Sequence, residues 1–344
     1  MPGSANQPPF DDLPPLDEVA AGERPLDEIV AGETPLVIRG LFDEWPLVAA
    51  GRASSEAART FVLDHARGDR PFVLTSGAPR PRGRIFYDDA MHVDAETERL
   101  PLSDAIARMR DHEGDDTPPL LYLTSTDIDG FFEGLAETLP SGLGERHQML
   151  RSIWIGLRSE VPAHNDVPRN LAGVAVGRRR FTLFPPEAMT HLYPGPIDNS
   201  PAGRPVSMVD FTAIDSDRFP EADKALAQGR TALLEPGDAI YIPSLWWHQV
   251  EALDPFNVLV NFWWRDVPLS WGDPQDALYH AIWTIRSLPE EQRKRWRDQF
   301  DHYVFGDPGR AAGHLPDEAR GILGPMDTNL GQRLRTYLIR VLNR

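Results

Sequence analysis

The chain of 344 residues contains no cysteine. That excludes disulfides, thiolate zinc sites and cysteine nucleophiles, and it fits a cytoplasmic protein. There is no long apolar run, so no transmembrane helix is expected. The opening Met1–Asp12 (M-P-G-S-A-N-Q-P-P-F-D-D) has neither the basic nor the apolar region of a secretory signal and reads as a solvated leader. Positive charge is in short supply. Lys and Arg number 35 against 52 Asp and Glu, for a net charge of −17. A surface of that sign repels nucleic acid and anionic membranes, but a basic peptide remains electrostatically acceptable.

What is present falls into three stretches. Residues 1–34 are Pro- and acid-rich and hold a near-duplication, P-L-D-E-V-A-A-G-E (Pro15–Glu23) and P-L-D-E-I-V-A-G-E (Pro25–Glu33). Stacked repeats need about three copies, so two copies read as local duplication in a surface segment. Residues 35–271 read as one β-rich domain. Pro35–Gly40, Pro71–Thr75 and Leu120–Thr124 have strand patterns, and Ser54–Arg67 and Leu102–His112 have helical ones. From Ser152 to Trp264 short β-like runs recur between Gly, Pro and Asp turns, the signature of an antiparallel sandwich or barrel of jelly-roll type. Residues 272–344 turn helical, with amphipathic spacing over Asp276–Leu288, Glu290–Tyr303 and Leu330–Leu342. The expected fold is mainly β with flanking helices.

Inside the β-rich stretch lies His164-Asn165-Asp166. Residues i and i+2 of a strand share a face, so the imidazole and the carboxylate would project together. Some seventy residues on, P-G-D-A-I-Y-I-P-S-L-W-W-H ends in His248. Pro236-Gly237-Asp238 reads as a hairpin turn, Ala239–Ile242 as a strand, and His248 as a residue re-entering the barrel mouth. Two His and one Asp on one face hold a divalent metal and leave other positions open, which suits non-haem Fe(II) and oxygen. A second H-x-D, His92-Val93-Asp94, has no strand around it and carries no such reading.

The run Val161–Pro186, followed by L-Y-P-G-P, V-D-F, R-F-P, P-G-D-A-I-Y-I-P-S-L-W-W-H-Q-V-E-A-L and V-N-F-W-W, resembles the cupin-like JmjC-type dioxygenases, among them asparaginyl hydroxylases. The resemblance spans about Pro35 to Trp264. It implies a double-stranded β-helix, Fe(II), 2-oxoglutarate and O2, with hydroxylation of a substrate C–H. It also implies roles by position. His164, Asp166 and His248 would ligate iron. Asn170 and Asn261 would hold 2-oxoglutarate near the metal, Tyr122 would reach its distal carboxylate, Trp263 would line the substrate side, and Arg218 would meet substrate. Three positions depart from the family pattern. Arg179 stands where a lysine pairs with the distal carboxylate, Val161 replaces a threonine, and Asn165 replaces an aromatic. Arginine is bulkier than lysine but can grip a carboxylate bidentately. Arg178 and Arg180, on a strand, would face away from Arg179.

Two rival readings stay open from sequence: a metal-dependent cupin enzyme that does not use 2-oxoglutarate, and a cupin barrel kept as a binding or regulatory module. In the resembling hydroxylases the tail helices build a homodimer, and the amphipathic helices of 272–344 allow the same here. The substrate is left as a protein side chain, a peptide or a small metabolite.

Overall fold

The short apolar runs become thirteen strands among the described residues, which in this computed structural model are 9–140, 149–201 and 203–343. In chain order they are β1 (Glu18–Ala20), β2 (Leu36–Arg39), β3 (Phe72–Gly77), β4 (Glu96–Leu100), β5 (Leu120–Asp127), β6 (Leu150–Gly156) and β7 (Ser159–Asn165). Then come β8 (Arg169–Val176), β9 (Arg179–Phe184), β10 (Arg230–Leu234), β11 (Ala239–Ile242), β12 (Trp247–Ala252) and β13 (Asn257–Trp264). Nine strands form a major sheet in the order β1-β2-β11-β8-β13-β6-β5-β3-β4, and four form a minor sheet in the order β10-β9-β12-β7. Only the β1–β2 pair is parallel. Strand alternation sends one face of each sheet toward the other. Val174, Phe181, Leu183, Ile240 and Leu259 meet between them. The outer face of the major sheet is covered by the helices Pro46–Ala53, Ser55–His65 and Leu102–His112, which contribute Leu47, Val62 and Met109 to its core. The expected mainly-β jelly-roll with flanking helices is what the chain forms.

Pro236-Gly237-Asp238 is not the hairpin turn expected from its sequence. β10 pairs with β9 in the minor sheet, whereas β11 pairs with β2 and β8 in the major one. The turn therefore carries the chain from sheet to sheet. Gly237 takes φ 107°, which favours glycine, and a Cβ there would meet Asp43 Oδ1 at 2.1 Å and push that side chain aside. The Asp238 carboxylate fixes the corner by accepting from Arg39 Nη1 at 2.7 Å, Gly40 N at 3.0 Å and Glu235 N at 3.1 Å.

The expectations of a solvated leader over Met1–Asp12 and of a surface segment around the duplication Pro15–Glu33 need correction. Residues 1–8 lie outside the described residues, but 9–34 are built into the fold. Phe10 is wholly buried against Phe211, and Leu16, Ile29 and Val30 are buried too. Leu16 N donates to Thr231 O at 2.9 Å, and Thr231 N to Pro14 O at 3.0 Å. The segment thus satisfies the free edge of β10, and β1 extends the major sheet beyond β2.

On the outer face of the minor sheet Glu160 and Glu251 sit opposite one another across β7 and β12, both buried. Arg82 grips Glu160 at 2.6 Å, but Arg180 reaches Glu251 only at 3.4 Å. Desolvation outweighs the cations at both carboxyls, raising Glu160 and pushing Glu251 up to about 7. A carboxyl whose pKa is raised on folding loses stability as pH climbs from its unfolded value through the folded one, here from about 4.5 to about 7. Glu251→Gln is expected to match the parent near pH 4 and to exceed its unfolding free energy above pH 7, measured by urea titration.

The chain divides into two compact units, Met1–Trp264 and Arg265–Arg344, so the break falls slightly before the 271/272 boundary read from sequence. The second unit holds the helices Pro274–Ile285, Glu290–Phe300, Pro308–Ala312 and Thr328–Leu342. Asp273 and Asp327 cap the first and last of these through Gln275 N at 2.8 Å and Leu330 N at 2.7 Å. Among the described residues no helix is long and apolar enough to cross a membrane.

Candidate metal centre

β7 and β12 run antiparallel with His164 directly opposite His248. An extra residue in β7, between the Val161↔Val250 and His164↔His248 pairs, keeps Val161 and His164 on one face although they are three apart. The two rings lie 4.3 Å apart by centroid, tilted at 52°. Each ring's Nδ1 lies against a backbone carbonyl, Pro162 O at 2.9 Å for His164 and Trp246 O at 3.0 Å for His248. A carbonyl only accepts, so Nδ1 carries the proton and each Nε2 keeps its lone pair for a metal. Asp166, one residue past β7, places Oδ2 3.7 Å from His248 Nε2. The three ligand atoms all lie within 4.8 Å of one another. The structure thus brings the three expected ligand atoms together, and the donor set of two imidazoles and one carboxylate fits Fe(II).

The loops that carry these ligands are tied together. Leu245 N donates to Asp166 O at 2.8 Å and Ser244 Oγ to Val167 O at 2.5 Å, so the turn before His248 is fixed on the turn that bears Asp166. Asn165, between the ligands, points away from them. Its Oδ1 accepts from Arg204 Nη2 at 2.9 Å and its carbonyl from Arg204 Nε at 3.1 Å. That link holds the loop around Pro201 and Gly203 as one wall of the site. Burial and the neighbouring His248 depress the His164 imidazole to about 4, so it stays neutral, the form that binds metal.

A cavity of about 410 Å³ opens from the three ligands into the space between the sheets. Tyr122, Asn170, Arg179, Asn261 and Trp263 all line it, together with Val161. Arg218 does not. It is exposed, with its guanidinium over the Phe219 ring at 5.0 Å, so the structure places it apart from the cavity. Arg178 pairs with Asp254 at 2.9 Å and Arg180 with Asp11 at 2.6 Å, both away from the cavity as strand alternation requires.

Arg179 sits opposite Ala252, four residues along β12 from His248. At about 3.3 Å per residue the backbone positions are roughly 13 Å apart. Phe181 and Val250 line the cavity between them. Arg179 is buried, its Nε has no hydrogen-bond partner, and desolvation alone pulls the guanidinium down to about 10. Among the described residues it makes no ion pair. Asn170 Oδ1 and Trp263 Nε1 are likewise buried without partners. Buried polar groups are normally satisfied, and such a set in one cavity marks a ligand's place. Asn261 Oδ1 accepts from Trp154 Nε1 at 2.9 Å, which orients its amide. Burial raises the Tyr122 phenol to about 12, so it enters as a neutral hydroxyl.

Sequence reading missed several lining residues. Phe181 and Leu259 lie two residues from Arg179 and Asn261, so strand alternation could have found them. Trp154, Ser125 and the Pro201–Gly203 wall carry no sequence signal of that kind.

A model of the cupin-like domain family matches residues 23–270. The chain belongs to that family. Among similar cupin-like relatives, HSPB1-associated protein 1 of Homo sapiens is 36% identical over 126 residues, which are 36% of this chain and 25% of that protein. The lysine-specific demethylase JMJ31 of Arabidopsis thaliana is 38% identical over 125 residues, covering 36% of this chain and 22% of that one. The tRNA wybutosine-synthesizing protein 5 of Danio rerio is 36% identical over 113 residues, covering 33% and 32%. The chain thus spans between about a fifth and a third of the length of these relatives. The JmjC-type resemblance read from the motifs and the family match agree.

Proposed function

We propose that this cupin-like protein is an Fe(II)- and 2-oxoglutarate-dependent oxygenase that hydroxylates a protein side chain, a peptide or a small metabolite. The observation that carries the proposal is Arg179, a buried guanidinium without an acidic partner, in the same cavity as the metal triad. A buried cation is costly until an anion meets it. A dicarboxylate with one end at the metal and the other at Arg179 supplies that anion. His164, Asp166 and His248 would hold the iron, and Asn170 and Asn261 would orient the keto-acid end. Tyr122 would add a hydroxyl at the distal carboxylate, where Val161 leaves the family's threonine hydroxyl missing. When bound, iron and 2-oxoglutarate supply the oxidising chemistry that activates O2. The chain's own part is to keep the His164 imidazole neutral, to aim both imidazoles through backbone carbonyls, and to exclude water from the apolar middle of the cavity.

Succinate release from 2-oxoglutarate by the purified protein with Fe(II) and ascorbate tests the proposal. The expected result is slow turnover without substrate, absent in His164→Ala. Val161 favours the second reading, a metal-dependent cupin enzyme without 2-oxoglutarate, and calorimetry separates the two. A net charge of −17 places protein, peptide or small-molecule substrates ahead of nucleic acid. Two of the relatives carry names that point to proteins, one to HSPB1 and one to a lysine-specific activity.

We also propose that the second unit pairs with its copy in another chain. Trp283, Phe305 and Ile339 are 71%, 76% and 52% exposed on it, more apolar surface than a lone unit usually presents to water. Light scattering is expected to give twice 38.5 kDa, and Leu338→Glu with Ile339→Glu to return the mass to 38.5 kDa. A monomer before substitution refutes the pairing.

A further inference from the structure

We infer that the cavity accepts an uncharged, hydrogen-bonding group of the substrate, an amide or an alcohol, and rejects ammonium, guanidinium and carboxylate groups. The inference rests on the reading of the site as an iron and 2-oxoglutarate centre, and it deepens that reading by naming the substrate class.

The first argument is an inventory of charge. Of the described residues lining the cavity, only Asp166 and Arg179 carry a formal charge. A divalent iron, the Asp166 carboxylate, a dicarboxylate co-substrate and the Arg179 guanidinium cancel one another completely. Every other lining side chain is apolar, aromatic, amide, hydroxyl or one of the two imidazoles that would ligate the metal. A charged substrate group entering this space would find no counter-ion. Burying an unpaired charge is far costlier than burying a neutral polar group that finds a hydrogen bond.

The second argument concerns what polar groups remain once the co-substrate is seated. Trp263 Nε1 is a buried donor with no partner. Two hydroxyl residues, Thr124 and Ser125, line the cavity. Tyr122 and Thr124 share a face of β5 by alternation, and Ser125 should then point away. It does not, because the pairing of β5 with β6 slips between Leu123 and Thr126, and Ser125 takes φ 31°. Such a backbone at a residue other than glycine is strained. The bulge turns a second hydroxyl into the cavity lining, where its Oγ donates to Ser152 Oγ at 3.2 Å. Bulges commonly re-aim a side chain beside a site in this way. Neutral hydroxyl groups in the lining and one unpartnered indole N–H match an amide or alcohol. The cavity of about 410 Å³ holds a co-substrate and one side-chain-sized group, so the reacting group enters as a protrusion.

The test uses the full chain loaded with Mn(II) and saturated with 2-oxoglutarate. Acetamide, ethylammonium, methylguanidinium and acetate are offered at equal concentration, and paramagnetic broadening of each probe's protons reports its approach to the metal. Acetamide is expected to broaden at least about ten-fold more than any of the ions. Trp263→Phe and Ser125→Ala are each expected to reduce that broadening, and Ser125→Asp to admit ethylammonium. Broadening of any ion equal to that of acetamide overturns the inference while leaving 2-oxoglutarate binding intact. Calorimetry on the same sample keeps the two failures apart. If 2-oxoglutarate does not bind, the co-substrate reading fails and takes this inference with it.

Discussion

Arg179→Met is expected to raise the stability of the metal-free protein while abolishing tight 2-oxoglutarate binding. The two effects have opposite signs because the guanidinium has no anion in the folded chain. Replacing even a buried ion pair by apolar side chains can gain about 1–4 kcal/mol, and an unpaired cation has no Coulombic attraction to lose, so exchange for an apolar side chain of similar length removes a desolvation cost. Losing the partner of a buried carboxylate costs about 2–5 kcal/mol, or at least about 30-fold in Kd. Urea titration and calorimetry measure the two. A structural arginine would show the reverse pattern, with stability falling and affinity unchanged. Arg179→Lys restores the residue that the family motif carries at this place. It is expected to recover part of the affinity, as a point charge without the bidentate fork.

Asp166→Ala is expected to remove metal binding altogether, with all activity. Changes to groups that merely support a ligand cost about 10–100-fold in metal affinity, and loss of the single anionic ligand costs more. The fold should survive, because Asp166 lies past the end of β7, and the loop tie to Leu245 uses its backbone carbonyl rather than its carboxylate. Equilibrium dialysis against Mn(II) with near- and far-ultraviolet circular dichroism checks both parts. Retained metal at parent affinity would mean that the ion sits elsewhere.

Much of this site was legible in two ways. Alternation along a short run put His164 and Asp166 on one face, and the resemblance to the family assigned Asn170, Arg179, Asn261 and Trp263 by position; all six line the cavity. What could not be read depends on contacts far apart in sequence. The two near-identical segments Pro15–Glu23 and Pro25–Glu33 show why. The first contributes strand β1 and the second the helix Leu26–Val30. Their local preferences are the same, so the partners decide: β1 has the free edge of β2 beside it. β4, Glu96–Leu100, was missed for a related reason, since an exposed edge strand of charged residues lacks an apolar rhythm. Arg218 was placed by its R-F-P motif alone, and the motif turned out to seat Phe219 in the core behind the minor sheet. The bulge at Ser125 needs the register of β5 on β6, which no single run of residues encodes.

The most direct test of the central claim is a calorimetric titration of 2-oxoglutarate into the protein with and without Mn(II). The account expects one site per chain in the metal-loaded protein, with micromolar affinity, no measurable binding without metal, and loss of the signal in both Asp166→Ala and Arg179→Met. Binding that is indifferent to the metal, or full affinity in either variant, would contradict it.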